Sequence, residues 1–204
     1  ERDDDGAMWA YRAATAALEA ELAEAIRRLA KAKPAKWARG SSDDATGSSG
    51  EAARRKRAGN GSGDGGGLQP APEQRAAVAA AFASRLSIVT GGPGTGKTAT
   101  IKMICAEADA RDASVMLVAP TGRAARRIAE SADEPASTIH SALGWIPGDG
   151  PTRDEQQPLE CDLLIADETS MANLELLLFL LRAAGPTAHV VLVGDAHQLA
   201  PALA

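Results

Sequence analysis

The feature that most constrains the fold is a short apolar run that leads directly into a glycine-rich loop. Residues 86–90 read LSIVT and residues 91–98 read GGPGTGKT, an instance of the pattern G-x-x-x-x-G-K-[ST]. We expect the apolar run to be a buried strand, and a helix to follow from about Lys97 to Ala110. This succession of strand, loop and helix is typical of α/β proteins that bind nucleotide phosphates.

The residue types of this loop are suited to binding a phosphate group. Glycine allows backbone conformations and close approaches that a Cβ would block, so that successive N–H groups can converge on one anion. The N-terminus of the following helix adds a positive partial charge. Lys97 is predicted to supply a mobile charge for the β and γ phosphates, and Thr98 a hydroxyl ligand for Mg²⁺. The predicted nucleotide-binding residues of the loop are Gly92, Pro93, Gly94, Thr95, Gly96, Lys97, Thr98 and Ala99.

Apolar runs alternate with helical patterns from residue 68 onward. Strands are predicted at residues 86–90, 114–119, 162–167 and 189–194, and helices at 72–83, 97–110, 173–183 and after Thr121. Residues 133–160 are predicted to be irregular. The alternation indicates a parallel sheet with helices on both faces. Ligands bind at the carboxyl ends of such strands, which is where the remaining motifs lie.

An acidic pair follows the third of these apolar runs. Residues 163–166 read LLIA and lead into Asp167 and Glu168. Asp167 is placed to hold Mg²⁺ opposite Thr98, and Glu168 is the candidate base that deprotonates the attacking water. The last run leads into GDAHQL, where the amide of Gln198 could contact both water and a γ-phosphate oxygen.

These motifs together resemble those of superfamily 1 DNA helicases. The order and wording are closest to RecD-like enzymes, which include the alpha subunit of exodeoxyribonuclease V and its stand-alone relatives. The resemblance covers residues 68–204 and is carried by GGPGTGKT, APTGRAARR, ASTIHSALG, LLIADETSM and VVLVGDAHQLAP. It implies a RecA-like first motor domain that uses ATP hydrolysis to move 5′ to 3′ on single-stranded DNA, in recombination and repair.

The resemblance also implies roles for particular residues. Gln74 matches the glutamine that recognises adenine, although spacing alone would make it a surface helix residue. The residues that match DNA-contacting motifs are Thr121, Gly122, Arg123, Thr138 and His140. Gln198 matches the residue that couples the γ-phosphate to the DNA site, which makes Lys97, Glu168 and Gln198 the expected catalytic set.

Two departures from the family pattern affect these expectations. Arg123 stands where the family commonly has Lys, and Arg makes planar, bidentate phosphate contacts. Arg126 and Arg127 could contact DNA or form a solvated helix face. The second motor domain, with its arginine finger, is not found within the 204 residues. We therefore expect an incomplete sheet and little activity from this chain alone.

Two other functions are compatible with part of this pattern. A conjugative, relaxase-linked helicase shares these motor motifs but needs an upstream Tyr nucleophile and a cluster of three His. Tyr11 is the only Tyr, and the three histidines lie downstream. A truncated, non-catalytic remnant that binds ATP or DNA is the other alternative, and the intact catalytic residues count against it.

The first third of the chain differs from the rest. Apolar residues between positions 7 and 33 recur at three- and four-residue steps, which predicts an amphipathic helix that packs on the main domain, on an N-terminal domain or on another subunit. Residues 40–67 are rich in Gly, Ser and charge and are predicted to be a flexible linker, whose basic residues 54–57 could be solvated or touch DNA. The expected divisions are therefore 1–39, 40–67 and 68–204.

Composition limits the choice of partners and compartment. The net charge of −5 argues against indiscriminate nucleic-acid binding but leaves room for a local DNA track. Two cysteines are too few for a disulfide framework, and both are expected to act as small buried hydrophobic residues. The sequence shows neither a signal-peptide pattern nor an apolar run of roughly 18 residues. We expect a cytoplasmic protein that binds single-stranded DNA, with nuclease or helicase partner subunits and no membrane association.

Overall fold

The computed structural model describes residues 13–39 and 70–195. Its sheet has five strands in the order β1-β5-β4-β2-β3, and every pair of neighbours is parallel. The strands are β1 (Leu86–Thr90), β2 (Val115–Ala119), β3 (Ala136–Thr138), β4 (Leu163–Ala166) and β5 (His189–Gly194). The central strand β4 is buried along its whole length, as expected where helices cover both faces of a parallel sheet.

Six α-helices accompany the sheet in the described part of the chain. They are α1 (Ala13–Lys31), α2 (Pro72–Ala83), α3 (Lys97–Asp109), α4 (Gly122–Ala132), α5 (Ile139–Ala142) and α6 (Leu174–Ala183). Alternate residues of β4 point to opposite faces. Leu164 packs in a core with α1 and α6, whereas Leu163 and Ile165 pack in a second core with α2, α3 and α4. The doubly covered, RecA-like α/β fold predicted from the sequence is thereby confirmed.

One strand lies inside the region predicted to be irregular. β3 contains three residues and pairs with β2, where Ala136 is the partner of Leu117 and Thr138 is the partner of Ala119. Three residues are too few to produce a visible alternation of apolar and polar side chains. The strand is recognised only through its pairing.

The N-terminal helix packs on the same chain. Leu22, Ala25 and Leu29 of α1 are buried in the core that contains α6. Two exposed ion pairs lie at the edge of this contact, from Arg182 to Glu21 at 2.8 Å and from Arg28 to Glu155 at 2.7 Å. The apolar stripe of α1 is thus covered by the main domain within the described residues.

The segment after α1 is tied to the opposite face. The backbone N–H of Ala35 donates to Nε2 of the buried His189 at 3.0 Å, and the indole N–H of Trp37 donates to the carbonyl of Thr187 at 3.2 Å. The Trp37 ring also meets Phe82 of α2 edge-on, with centroids 6.1 Å apart. These contacts anchor residues 35–38 beside α2.

The two cysteines are shielded from solvent to different degrees. Cys105 is buried and Cys161 is half-buried, and burial raises the pKa of each thiol to about 12. Both thiols therefore stay protonated and unreactive near neutral pH.

Two further expectations concern the linker and the membrane. Residues 40–67, and with them the predicted linker, lie outside the described residues, as does Gln198. Within the described residues, no helix combines the length and apolar character that a membrane crossing needs.

Candidate nucleotide site and adjoining basic surface

The predicted site residues gather at one edge of the sheet because all five strands run in the same direction. The glycine-rich loop follows β1, Thr121 follows β2, and Asp167 follows β4. β5 lies between β1 and β4. The loop and the acidic pair therefore flank the end of β5, as expected for a single site at the carboxyl ends of parallel strands.

The glycine-rich loop has a conformation that depends on Gly96. Gly96 precedes α3 with φ of +84°, in the left-handed region that side chains disfavour. A Cβ at this position would lie 2.6 Å from Nε2 of Gln74. The backbone angle therefore favours glycine at the point where the loop becomes a helix, and a Cβ there would also force the Gln74 amide to move.

Lys97 closes back on the loop that it follows. Its ammonium group donates to the carbonyl oxygen of Gly91 and, at 2.9 Å, to that of Gly92. The hydroxyl of Thr95 donates to the same Gly92 oxygen at 2.9 Å. Lys97 is thus held within the loop by neutral acceptors, which a phosphate oxygen would replace with a charged and stronger partner.

Gln74 contacts the loop from α2. Its Oε1 accepts from the N–H of Ala71 at 3.0 Å, which caps the start of α2, and its Nε2 donates to the carbonyl of Gly96 at 3.3 Å. A cavity of about 500 Å³ opens here, and Gln74, Lys97 and Thr95 are among the residues that line it. Spacing alone predicts a surface helix residue at Gln74, whereas the structure places its side chain beside the phosphate loop, and its expected contact with adenine stays a prediction.

Asp167 lies in a partly desolvated position at the end of β4. Burial raises the pKa of its carboxyl above the ordinary value, and the charge of Glu168 adds to this effect. Two influences lower the pKa of Asp167 instead. The N–H of Glu168 donates to Oδ1 of Asp167 at 2.9 Å, and the positive charges of Arg127 and Lys97 favour the ionised carboxylate. The acidic pair and the phosphate loop lie at the same edge of the sheet, separated by the end of β5.

Glu168 has a backbone conformation that is uncommon for a residue with a side chain. Its φ is +53°, in the left-handed region, and it precedes a turn of 3₁₀ helix over Thr169–Met171. The hydroxyl of Thr169 donates to the carbonyl of Val193 in β5 at 3.0 Å, which ties this turn to the sheet. Such conformations cost on the order of 1–2 kcal/mol and persist where neighbouring contacts hold them.

Arg127 of α4 reaches the acidic pair. Its Nη1 lies 3.5 Å from Oε1 of Glu168. The sequence left open whether Arg127 contacts DNA or forms a solvated face, and Glu168 lies far along the chain. Nothing in the local pattern of residues signals this contact, because it depends on α4 packing over β2 and on β4 lying next to β2 in the sheet.

The other residues matched to DNA motifs line the same edge. The hydroxyls of Thr121 and Thr138 cap α4 and α5 by accepting from the N–H groups of Ala124 at 3.2 Å and Ser141 at 3.1 Å. The two threonines therefore fix the N-termini of the helices that border this edge. His140 is exposed, and its ring lies 5.2 Å from that of Trp145.

A basic surface lies on α4 beside the acidic pair. It is a shallow cavity of about 560 Å³ that is lined by Gly122, Arg123, Arg126, Arg127 and Glu130. Three guanidinium groups against one carboxylate give this surface a positive charge, although the whole chain is acidic. This local positive charge is suited to binding an anionic polymer, which the negative net charge of the whole chain would not indicate.

Comparisons with known proteins show the family to which this chain belongs. A family model described as an AAA domain matches residues 74–204. The ATP-dependent RecD2 DNA helicase of Deinococcus radiodurans is 46% identical over 130 residues, which cover 63% of this chain and 18% of that protein. The RecBCD enzyme subunit RecD of Haemophilus influenzae is 38% identical over 152 residues, which cover 62% of this chain and 24% of that protein.

The chain thus spans about a quarter or less of the length of these two relatives. Among solved structures, the Pif1 helicase from Candida albicans matches with a TM-score of 0.46 and 26% identity, over 63% of this chain and 33% of that one.

Proposed function

We propose that this chain, which belongs to the AAA domain family and is a RecD-like motor domain of superfamily 1, is the ATP-binding part of an ATP-dependent 5′ to 3′ DNA helicase. The observation that carries the proposal is that Asp167 and Glu168 lie at the same carboxyl edge of one parallel sheet as the loop that contains Lys97. A phosphate loop alone supports nucleotide binding. The added acidic pair would supply a ligand for Mg²⁺ and a base for hydrolysis.

The loop residues are proposed to bind the phosphates and Gln74 the adenine. Residues 92–99 would surround the anion, all except Pro93 with a backbone N–H group to offer, and Lys97 would exchange the carbonyls of Gly91 and Gly92 for phosphate oxygens. Gln74 would exchange its bonds to Ala71 and Gly96 for the adenine edge. ATP binding would therefore break contacts that close the site in its nucleotide-free form.

Magnesium fits the residues at the site. Within the described ranges there is no cluster of three or more His, Cys, Asp or Glu that could hold a metal by itself. A Thr98 hydroxyl and a partly buried Asp167 carboxylate instead match the usual Mg²⁺ site, in which one or two protein oxygens act together with substrate phosphates. When bound, Mg²⁺ would neutralise charge on the phosphates.

Glu168 is proposed as the base that takes a proton from the attacking water, and Gln198 as the residue that contacts the γ-phosphate. The second contribution to hydrolysis would be a cation from a neighbouring domain, since such a group typically raises phosphoryl transfer by ~10³ to 10⁵. The relatives are several times longer than this chain. We therefore expect the chain alone to bind Mg-ATP and to hydrolyse it slowly.

Single-stranded DNA is the proposed partner of the basic surface on α4. Arg123 lies on its exposed side, and Thr121 and Gly122 begin the helix. Nuclease or helicase subunits are proposed as further partners, because the Haemophilus influenzae relative is named as a subunit of the RecBCD enzyme. Such an assembly would act in recombination and repair in the cytoplasm.

The test of this function compares the wild-type chain with Glu168→Gln. Both should bind Mg-ATP and oligo-dT, whereas the slow turnover of the wild type should fall at least tenfold further in the variant, because only the base is removed. Glu175→Gln, an exposed acid of α6, controls for the loss of one negative charge. Failure of the wild type to bind either ligand, or unchanged turnover in Glu168→Gln, would overturn the proposal.

A further inference from the structure

Arg127 belongs to two surfaces at once. It lines the basic cavity on α4 together with Arg123 and Arg126, and it also forms an ion pair with Glu168 at the end of β4. No other ion pair identified among the described residues joins α4 to the acidic pair. The contact therefore links the proposed DNA surface directly to the proposed catalytic base.

The Arg127 to Glu168 pair is suited to exchange of partners. The two atoms are 3.5 Å apart, and the Arg127 side chain is 73% exposed whereas that of Glu168 is 28% exposed. Exposed pairs of this kind contribute little free energy, because water and salt screen them. A better acceptor that approached from solvent would therefore displace Glu168 from Arg127 at small cost.

The surroundings of Arg127 favour such an acceptor. Arg123 and Arg127 are four residues apart on one helix, so their guanidinium groups are neighbours and repel each other. An anion between them would relieve this repulsion, and guanidinium groups bind phosphate oxygens in a bidentate manner. A nucleic-acid backbone on α4 would supply phosphates at this position.

We infer that Arg127 is a positioning residue that holds Glu168 in the DNA-free chain and releases it when a DNA phosphate takes the guanidinium. The inference rests on the proposed function, in which Glu168 is the base and α4 faces DNA. It connects the presence of DNA to the freedom of the catalytic carboxylate through one side chain. Because binding linkage is reciprocal, loss of Glu168 as a partner must strengthen the hold of Arg127 on DNA.

The test is a double-mutant cycle on oligo-dT affinity, measured by fluorescence anisotropy at low salt, with EDTA and without nucleotide. Glu168→Gln should tighten binding by about two- to fivefold in the wild-type background, the range that an exposed ion pair allows. In an Arg127→Gln background the same substitution should change affinity by much less. Arg127→Lys, which keeps the charge, should restore most of the difference.

Glu175→Gln serves as the charge-matched control and should have the same effect in both backgrounds, since it lies on α6 away from Arg127. Equal effects of Glu168→Gln with and without Arg127 would overturn the inference while leaving DNA binding, and so the proposed function, intact. Absence of oligo-dT binding by the wild-type chain would instead overturn both.

Discussion

Gln74 donates a hydrogen bond from its Nε2 to the carbonyl oxygen of Gly96 at 3.3 Å. This bond joins the first turn of α2 to the residue that immediately precedes α3. The same side chain accepts from the N–H of Ala71. Gln74 therefore links α2 to the loop, and in the proposed function the same amide contacts the adenine.

Replacing Gln74 by Ala should weaken Mg-ATP binding several-fold and abolish preference for ATP over GTP. The Gln74 amide is the group that would distinguish the polar edge of adenine from that of guanine. A base whose polar groups are left without hydrogen-bond partners binds much more weakly. Competition titrations with ATP and GTP measure the ratio of their affinities. Arg75→Ala, at the next residue on α2, should retain the preference for ATP. Persistent ATP preference in Gln74→Ala would show that the base is recognised elsewhere.

The two glycines Gly96 and Gly92 should respond differently to substitution by Ala. At Gly96 the new Cβ would sit 2.6 Å from Gln74 Nε2 with φ at +84°, whereas at Gly92 it would meet no atom within 4 Å. We expect Gly96→Ala to lower the free energy of unfolding by roughly 1–2 kcal/mol, and Gly92→Ala to change it little. Urea unfolding measures the free energy of unfolding of both variants. Equal values for Gly96→Ala and Gly92→Ala would contradict the loop geometry.

His189 should make the stability of the chain depend on pH. Its Nε2 accepts from Ala35, its Nδ1 bonds to the carbonyl of Ala81, and burial lowers its pKa below the ordinary value of 6.5. Between these two pKa values the unfolded state binds more protons than the folded state. Stability is therefore expected to fall as pH drops below about 6.5.

His189→Gln tests this origin of the pH dependence. The variant should lose about 1–3 kcal/mol at pH near 7.5 through disrupted buried hydrogen bonds, and should lose stability less steeply than the wild type as the pH falls. Urea unfolding at several pH values gives both quantities. Identical slopes for the two proteins would assign the pH dependence to other groups.

Arg123→Ala should weaken binding of single-stranded DNA without regard to its sequence. One lost phosphate contact should reduce the slope of log affinity against log salt by about 0.7. Lys102→Ala removes a charge from an exposed site on α3 and should leave the slope unchanged. A change in base preference at constant slope would contradict a role in backbone contact.

Much of the sheet could be predicted because its strands are continuous apolar runs. β1 and β5 have the predicted bounds, and β4 differs only at its ends. The three-residue β3 could not be predicted, since it exists through pairing with β2. The amphipathic pattern of α1 indicated a buried stripe but could not identify its partner, because periodicity describes one surface of a contact.

The residue types of the site could also be predicted from the sequence, whereas the contacts between these residues could not. The pattern around Lys97 predicts a phosphate loop, yet it cannot show that the ammonium group is held by Gly91 and Gly92 in the nucleotide-free form. The pair of Arg127 and Glu168 depends on the pairing of β2 with β4, which brings the end of a strand distant in sequence close to α4. The assigned roles of these residues remain predictions that the substitutions above examine.

The most direct measurement is a calorimetric titration of the chain with Mg-ATP, repeated for Lys97→Ala. The wild type is expected to bind one nucleotide per chain. Lys97→Ala is expected to bind it at least tenfold more weakly, because the β and γ phosphates lose their mobile counter-charge. Lys102→Ala, which removes an exposed charge from the same helix, should bind like the wild type. Equal affinity of Lys97→Ala and the wild type would contradict the assignment of a phosphate loop.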